Sequence, residues 1–121
     1  MAEKVAVLGA SAKPERYSYK AVKMLSENGH VVYPVHPSRI PIDGVECYAN
    51  LGEIPEAVDT ITVYLGQRNS APLIDDILAS GARRVILNPG AESELVKKRC
   101  SEAEMEVLEA CTLVLLATDQ F

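Results

Sequence analysis

Five short apolar runs recur along this chain of 121 residues, most of them separated by stretches of helical periodicity. They are Lys4–Leu8, Val31–Val35, Thr60–Tyr64, Arg84–Leu87 and Glu106–Glu109. Runs this short and this rich in β-branched residues suit strands covered on both faces, and strands joined through helices pair in parallel. The pattern predicts an α/β fold, a three-layer doubly wound parallel sheet of about five strands, with residues 1–121 forming one domain.

The segments between the runs carry their own signals. A first helix is expected over 18–28, stopped by Asn28-Gly29, because glycine takes the left-handed conformation that ends helices. A second is expected to start at Asn69 or Ser70 and reach residue 80, with Pro72 in its first turn, where a missing N–H costs nothing. A third runs from Ser93 to about Ala103. Pro34 cannot donate to a ladder, so the second strand is expected to be short or irregular there. Residues 37–56 read as loop, with a short strand at 45–48 and a helical turn near 51–54. The stretch 112–121 reads equally as helix, strand or interface segment, and in the last case as a homodimer contact.

The net charge of −5 argues against a general nucleic-acid surface, which wants positive charge. No run approaches the roughly 18 apolar residues of a membrane span, and the start lacks a signal-peptide core, so a cytoplasmic protein is expected. Cys47, Cys100 and Cys111 form no CxxC pair and only His30 and His36 accompany them, so no metal site is expected.

In doubly wound sheets the ligand lies beyond the carboxyl ends of the strands, which selects loops 9–18, 36–44, 64–70, 88–92 and 110–112. The first begins Gly9-Ala10-Ser11 and carries Lys13, Pro14, Arg16 and Ser18. A strand that turns through glycine into a helix start brings backbone N–H groups to an anion. The hydroxyls of Ser11 and Ser18 and the charges of Lys13 and Arg16 add to a phosphate site. In the second loop, His36-Pro37 and Arg39 stand where NAD-binding sheets place an acidic residue, and a cation there favours a ribose that bears its own phosphate. NADP and coenzyme A both carry one. Val63 and Tyr64 are candidates for an apolar wall against adenine, one of them being core; Asn88 and Gly90 are candidates for amide contacts and close backbone approach. No Ser/His/Asp set converges on these loops, so catalysis is not expected.

The run Val5 to Ser11 with Pro14, Arg16 and Ser18, followed by Val32-Tyr33-Pro34-Val35-His36-Pro37, resembles the small single-domain CoA-binding proteins. These are Rossmann-like relatives of the nucleotide-binding domain of the succinyl-CoA synthetase α subunit. The likeness continues through Gly44 to Tyr48, Ile54-Pro55, Val58-Asp59 and Gly81-Ala82. The resemblance implies a five-stranded parallel sheet that binds coenzyme A without turning it over. Gly9 and Ser11 would hold the pyrophosphate, Arg39 would replace a lysine near the phosphate-bearing ribose, and Val63 and Tyr64 would line the adenine. The chain departs from the family pattern at three strand ends. It has Thr62-Val63-Tyr64-Leu65 for Asp-x-Phe-Arg, Asn88-Pro89-Gly90 for Gln-x-Gly, and Glu109-Ala110-Cys111 for Asp-Arg-Cys.

The functional expectation is non-catalytic binding of coenzyme A or an acyl-CoA, as a sensor or regulatory module. The alternatives are a small NADP-binding oxidoreductase and a ligand-free interaction domain on the same scaffold.

Overall fold

The computed structural model describes residues 2–121. Its five strands are β1 (Lys4–Leu8), β2 (Val31–Val35), β3 (Thr60–Val63), β4 (Arg84–Leu87) and β5 (Glu106–Glu109). All pair in parallel, in the order β2-β1-β3-β4-β5. The chain leaves β1 toward one edge and returns past it to β3, so the order reverses between β1 and β3. Such a switch point opens a crevice at the carboxyl ends of those two strands.

Alternation of side chains along each strand feeds two cores. Val5, Val7 and Val32 point to one face, where they meet Val22 and Leu25 of α1 (Tyr17–Glu27) and Leu116 of α5 (Thr112–Ala117). Ala6, Leu8, Ile61, Val63, Val85 and Leu87 point to the other. There they pack on Ile74 and Ile77 of α3 (Ile74–Ala79), and on Val96 and Cys100 of α4 (Glu94–Glu102). Each fully buried Val, Ile or Leu removes enough apolar area from water to contribute about 1.5–3 kcal/mol. The result is the three-layer α/β/α arrangement expected from the strand spacing.

Pro34 is accommodated without irregularity. The strand Val31–Val35 keeps its full register against β1. It lies at the sheet edge, where the outward Pro34 carbonyl accepts the Tyr48 N–H at 2.9 Å. A missing donor on that side leaves the β1–β2 ladder whole. The expected short strand at 45–48 reduces to two isolated bridges, Val35 with Tyr48 and Ile42 with Val45. The helical turn that follows is present over Leu51–Glu53.

Helix ends follow local chemistry. At the end of α1, Gly29 has φ +85°, its N–H donates to Ser26 and the His30 N–H donates to Leu25. This pair of bonds closes the last carbonyls. Ser93 caps α4 by accepting the Val96 N–H at 3.1 Å. The expected continuous helix from 69 to 80 is broken instead. It starts earlier, as α2 (Gln67–Ser70) behind Gly66, passes through a 3-10 turn at Ala71–Leu73 that contains Pro72, and resumes as α3. Proline cannot donate, so the track tightens around it. The closing segment, open between three readings in the sequence, is helix α5 packed on α1, with Val114 exposed. No helix of the described residues is long and apolar enough to cross a membrane.

Candidate functional site

Gly9 sits at the switch point, and two cavities open on either side of it. Its φ is +88°, a region that excludes ordinary side chains, and a Cβ there would lie 2.8 Å from Leu65 Cδ2. The chain after β1 therefore passes directly against the chain after β3. The N–H groups of Gly9 and Ala10 both donate to the Val35 carbonyl at 3.1 Å. These amides are consequently unavailable to an anion, which corrects the expectation that Gly9 would hold a pyrophosphate. Gly9 is needed for close approach instead, and Ala10 is buried core.

Anion-binding capacity lies one step further, at the start of α1. No acceptor among the described residues takes the N–H groups of Tyr17, Ser18 or Tyr19, and Arg16 provides no side-chain cap. Those groups and the helix dipole favour negative charge. Ser18 is only 5% exposed, and its hydroxyl, which takes no partner among the described residues, is open to the cavity rather than sealed in the core. Together with Ser11, Lys13, Arg16 and Tyr64, it lines a cavity of about 470 Å³. The Ser11 hydroxyl also closes the loop by accepting the Lys13 N–H at 3.1 Å. Pro14 is exposed in the loop and lines none of the cavities described here.

The second cavity, about 310 Å³, lies on the α3 side of Gly9. Leu8, Val35, Leu51, Leu65 and Leu73 form its apolar walls, and Pro37 closes one end. Asn50, Asn69 and Asp76 supply polar atoms. His36 borders both cavities and a third, of about 200 Å³, between loops 10–13 and 36–42. Its Nδ1 accepts the Ser38 N–H at 3.0 Å, so the ring is held by its own loop. The walls Leu51 and Leu73 and the polar residues Asn69 and Asp76 were missed in the sequence. The signal was there in part, because 69, 73 and 76 share one face at helical spacing.

Arg39 has φ +57° and pairs with Glu53, Nη2 to Oε2 at 2.5 Å. The other Glu53 oxygen accepts the Ala49 N–H at 3.1 Å. The arginine is thus already paired and itself lines none of the three cavities; its link to the apolar one runs through Glu53 to Ala49, which does line it. The pair is exposed, and exposed pairs contribute about 0–1 kcal/mol, so a phosphate dianion can displace the carboxylate.

Three expectations fail, two of them on burial. Val63 is wholly enclosed in the core and cannot touch a ligand. Asn88 is 1% exposed and turned inward, toward Thr62, Val63 and Thr112. Gly90 is exposed but lines neither cavity, and its N–H donates to the Glu92 carboxylate at 3.0 Å; its neighbour Pro89 lines the polar cavity.

Tyr64 does line the polar cavity, but its hydroxyl is buried without a partner. Burial, the largest cause, pushes its pKa up to about 12. A raised folded pKa means stability that is complete below the ordinary value of 10 and is lost as pH rises through about 12. Tyr64→Phe removes an orphan hydroxyl and should leave the protein as stable or about 1 kcal/mol more stable at neutral pH. Alkaline tyrosinate titration of both proteins tests this: the wild type should show one more late-titrating tyrosine than the variant, which keeps Tyr33, itself pushed up to about 12 chiefly by its hydrogen bond to Glu56. Burial also raises the thiols of Cys47 and Cys100, whereas Cys111 is half-buried at the cap of α5.

Comparison with known proteins completes the description. A family model described as CoA binding domain matches residues 3–117. A stretch of 84 residues is 30% identical to the acetate–CoA ligase (ADP-forming) II subunit alpha of Pyrococcus furiosus, covering 69% of this chain and 18% of that protein. Another, of 112 residues, is 30% identical to the acetate–CoA ligase (ADP-forming) II of Archaeoglobus fulgidus, covering 87% and 16% respectively. The chain therefore spans less than one fifth of the length of these ligases. A crystal structure of an uncharacterized protein superposes with a TM-score of 0.94 at 33% identity, over 100% of this chain and 99% of that one.

Proposed function

The chain belongs to the CoA binding domain family, and from that premise we propose that it binds coenzyme A or an acyl-CoA without catalysing a reaction on it. The observation that carries this reading is the pair of cavities on either side of Gly9, one apolar and one lined by cations and free helix N–H groups. Adenine fits the apolar cavity and the pyrophosphate fits the N-terminus of α1, with Ser18, Lys13 and Arg16 around it. Arg39 reaches the ribose phosphate in exchange for Glu53. Tyr64 and Pro89 offer the pantetheine arm a path toward the end of β5. The same loops hold no nucleophile, base and orienting group in sequence, which favours a cytoplasmic module that reports cofactor level over an enzyme.

Calorimetric titration with CoA, NADP and NAD side by side tests the reading. CoA should bind most tightly. Tight NADP binding with no CoA response would favour a small oxidoreductase, and silence from all three would favour an interaction domain.

The Arg39–Glu53 pair supplies a sharper prediction. Arg39→Ala should weaken CoA by about tenfold and dephospho-CoA by less than about twofold, because only CoA carries the extra phosphate. Glu53→Gln frees the guanidinium and should strengthen CoA selectively. Equal changes for the two ligands would contradict Arg39 as the phosphate reader.

A further inference from the structure

We infer that the face built around α5 docks a second copy of this chain, about a two-fold axis that sets the cationic flank of each copy against the acidic flank of the other. On the sheet face that carries α1 and α5, α1 covers β1 and β2. α5 lies beside it over β3 and β4, with the Thr112 hydroxyl 2.7 Å from that of Thr62 and the Thr112 N–H donating to Asn88. The described residues place no third helix on this face, so β5 is left at its margin. Val107 turns to the opposite core, so alternation puts Glu106 and Leu108 on the α5 side, where Leu108 is half-buried and Glu106 exposed. The order across the face is therefore α1, α5, β5.

The three strips differ in chemistry. α5 carries no charged residue, its Val114 is 56% exposed, and Leu113 and Leu115 are half-buried. α1 exposes Lys20 and Lys23, with Arg16 one turn before them and Glu27 closing the row. None of the three cations has an ion-pair partner among the described residues. Like charges at this spacing weaken a helix, so nothing within the chain accounts for the row. Beyond α5, Glu104 and Glu106 are exposed and equally unpaired. A two-fold axis along α5 exchanges the flanks, so cations meet acids while the apolar helix meets its own copy. An axis across α5 would set like charge on like. This self-complementary pattern singles out a second copy as the occupant. Pairing of two β5 edges is the competing dimer. Aligned antiparallel over the full strand, it opposes Glu106 to Glu109, a like-charge pair.

Light scattering of the full chain over a concentration series should reveal a species with twice the mass of one chain, and added salt should weaken it. Val114→Glu, at an exposed position, should raise the dimer dissociation constant by at least about tenfold, because it brings two carboxylates together near the axis. Lys20→Glu combined with Lys23→Glu should do the same, and so should Glu104→Lys combined with Glu106→Lys. Mixed in equal amounts, the two charge-reversed proteins should form a heterodimer about as tight as the wild-type dimer, since both flank contacts are again opposite in sign. That recovery also shows that neither variant had merely lost its fold. A wild type that stays monomeric at every concentration would overturn the inference. So would a dimer indifferent to Val114→Glu, or charge-reversed proteins that remain apart on mixing. CoA binding enters none of these readouts, so their failure leaves the CoA reading standing.

Discussion

Replacing Asn88 with alanine should destabilise the protein by about 3 kcal/mol, through the loss of a buried polar network rather than of a ligand contact. The Asn88 amide nitrogen donates to Thr62 Oγ1 at 2.7 Å and to the Val63 carbonyl at 2.9 Å. Its oxygen accepts the Thr112 N–H at 2.8 Å, and the Thr62 and Thr112 hydroxyls lie 2.7 Å apart. Thr62 and Thr112 are themselves fully buried. Truncation strands the first N–H of α5 where no water can replace the lost acceptor, and empties the space the amide filled. Urea denaturation should show a lower midpoint with an unchanged slope, and the melting temperature should fall by on the order of 10 °C. A variant that keeps its stability but loses ligand affinity would restore Asn88 to the binding surface.

The second large effect is expected at Gly9. Gly9→Ala incurs two costs. The left-handed backbone disfavours any Cβ by about 1–2 kcal/mol, and the contact with Leu65 at 2.8 Å forces a shift that adds about 1–3 kcal/mol. Leu65 is a wall of the apolar cavity, so its displacement should also cut CoA affinity, by about tenfold or more. Gly90→Ala is the control. It has a similar φ, +92°, with nothing within 4 Å of the added carbon, and should show the backbone cost alone. The difference between the two variants in thermal melting isolates the Leu65 contact. Equal losses would mean that the loop after β3 yields freely and that Gly9 serves the turn only.

The same two residues show how far the sequence could be read. Gly9 ends an apolar run and precedes a polar loop, so its place at a strand end was legible without coordinates. Its reason was not. The expected anion contact needed free amides, and those amides are satisfied by Val35, a residue 26 and 25 positions away. Asn88 likewise stands at a strand end and looks like a ligand contact. Its partners come from β3 and from the start of α5, neither of which is visible from Asn88-Pro89-Gly90. Arg39 was read as a free cation because its partner Glu53 stands 14 positions on, beyond a loop whose path no short-range signal fixes.

Most local rules held where both participants are close in the chain. The β-branched runs, the Asn28-Gly29 stop, the Ser93 cap and the turn at Leu51–Glu53 each depend on neighbours within a few residues. Three local expectations missed: the irregularity at Pro34, the short strand at 45–48 and the unbroken helix through Pro72. The helix begins at Gln67, which puts the proline too deep for the first turn.

From its amino acids alone, then, this protein's layers, its strand count and the end of the sheet where the cavities open were already determined, because periodicity and chain breaks are short-range properties. Folding decided which polar groups at that end face outward. That choice turns on hydrogen bonds between segments tens of residues apart: Asn88 finds its partners inside and is lost to the surface, whereas Ser18, whose hydroxyl takes no partner among the described residues, stays in the wall of the polar cavity.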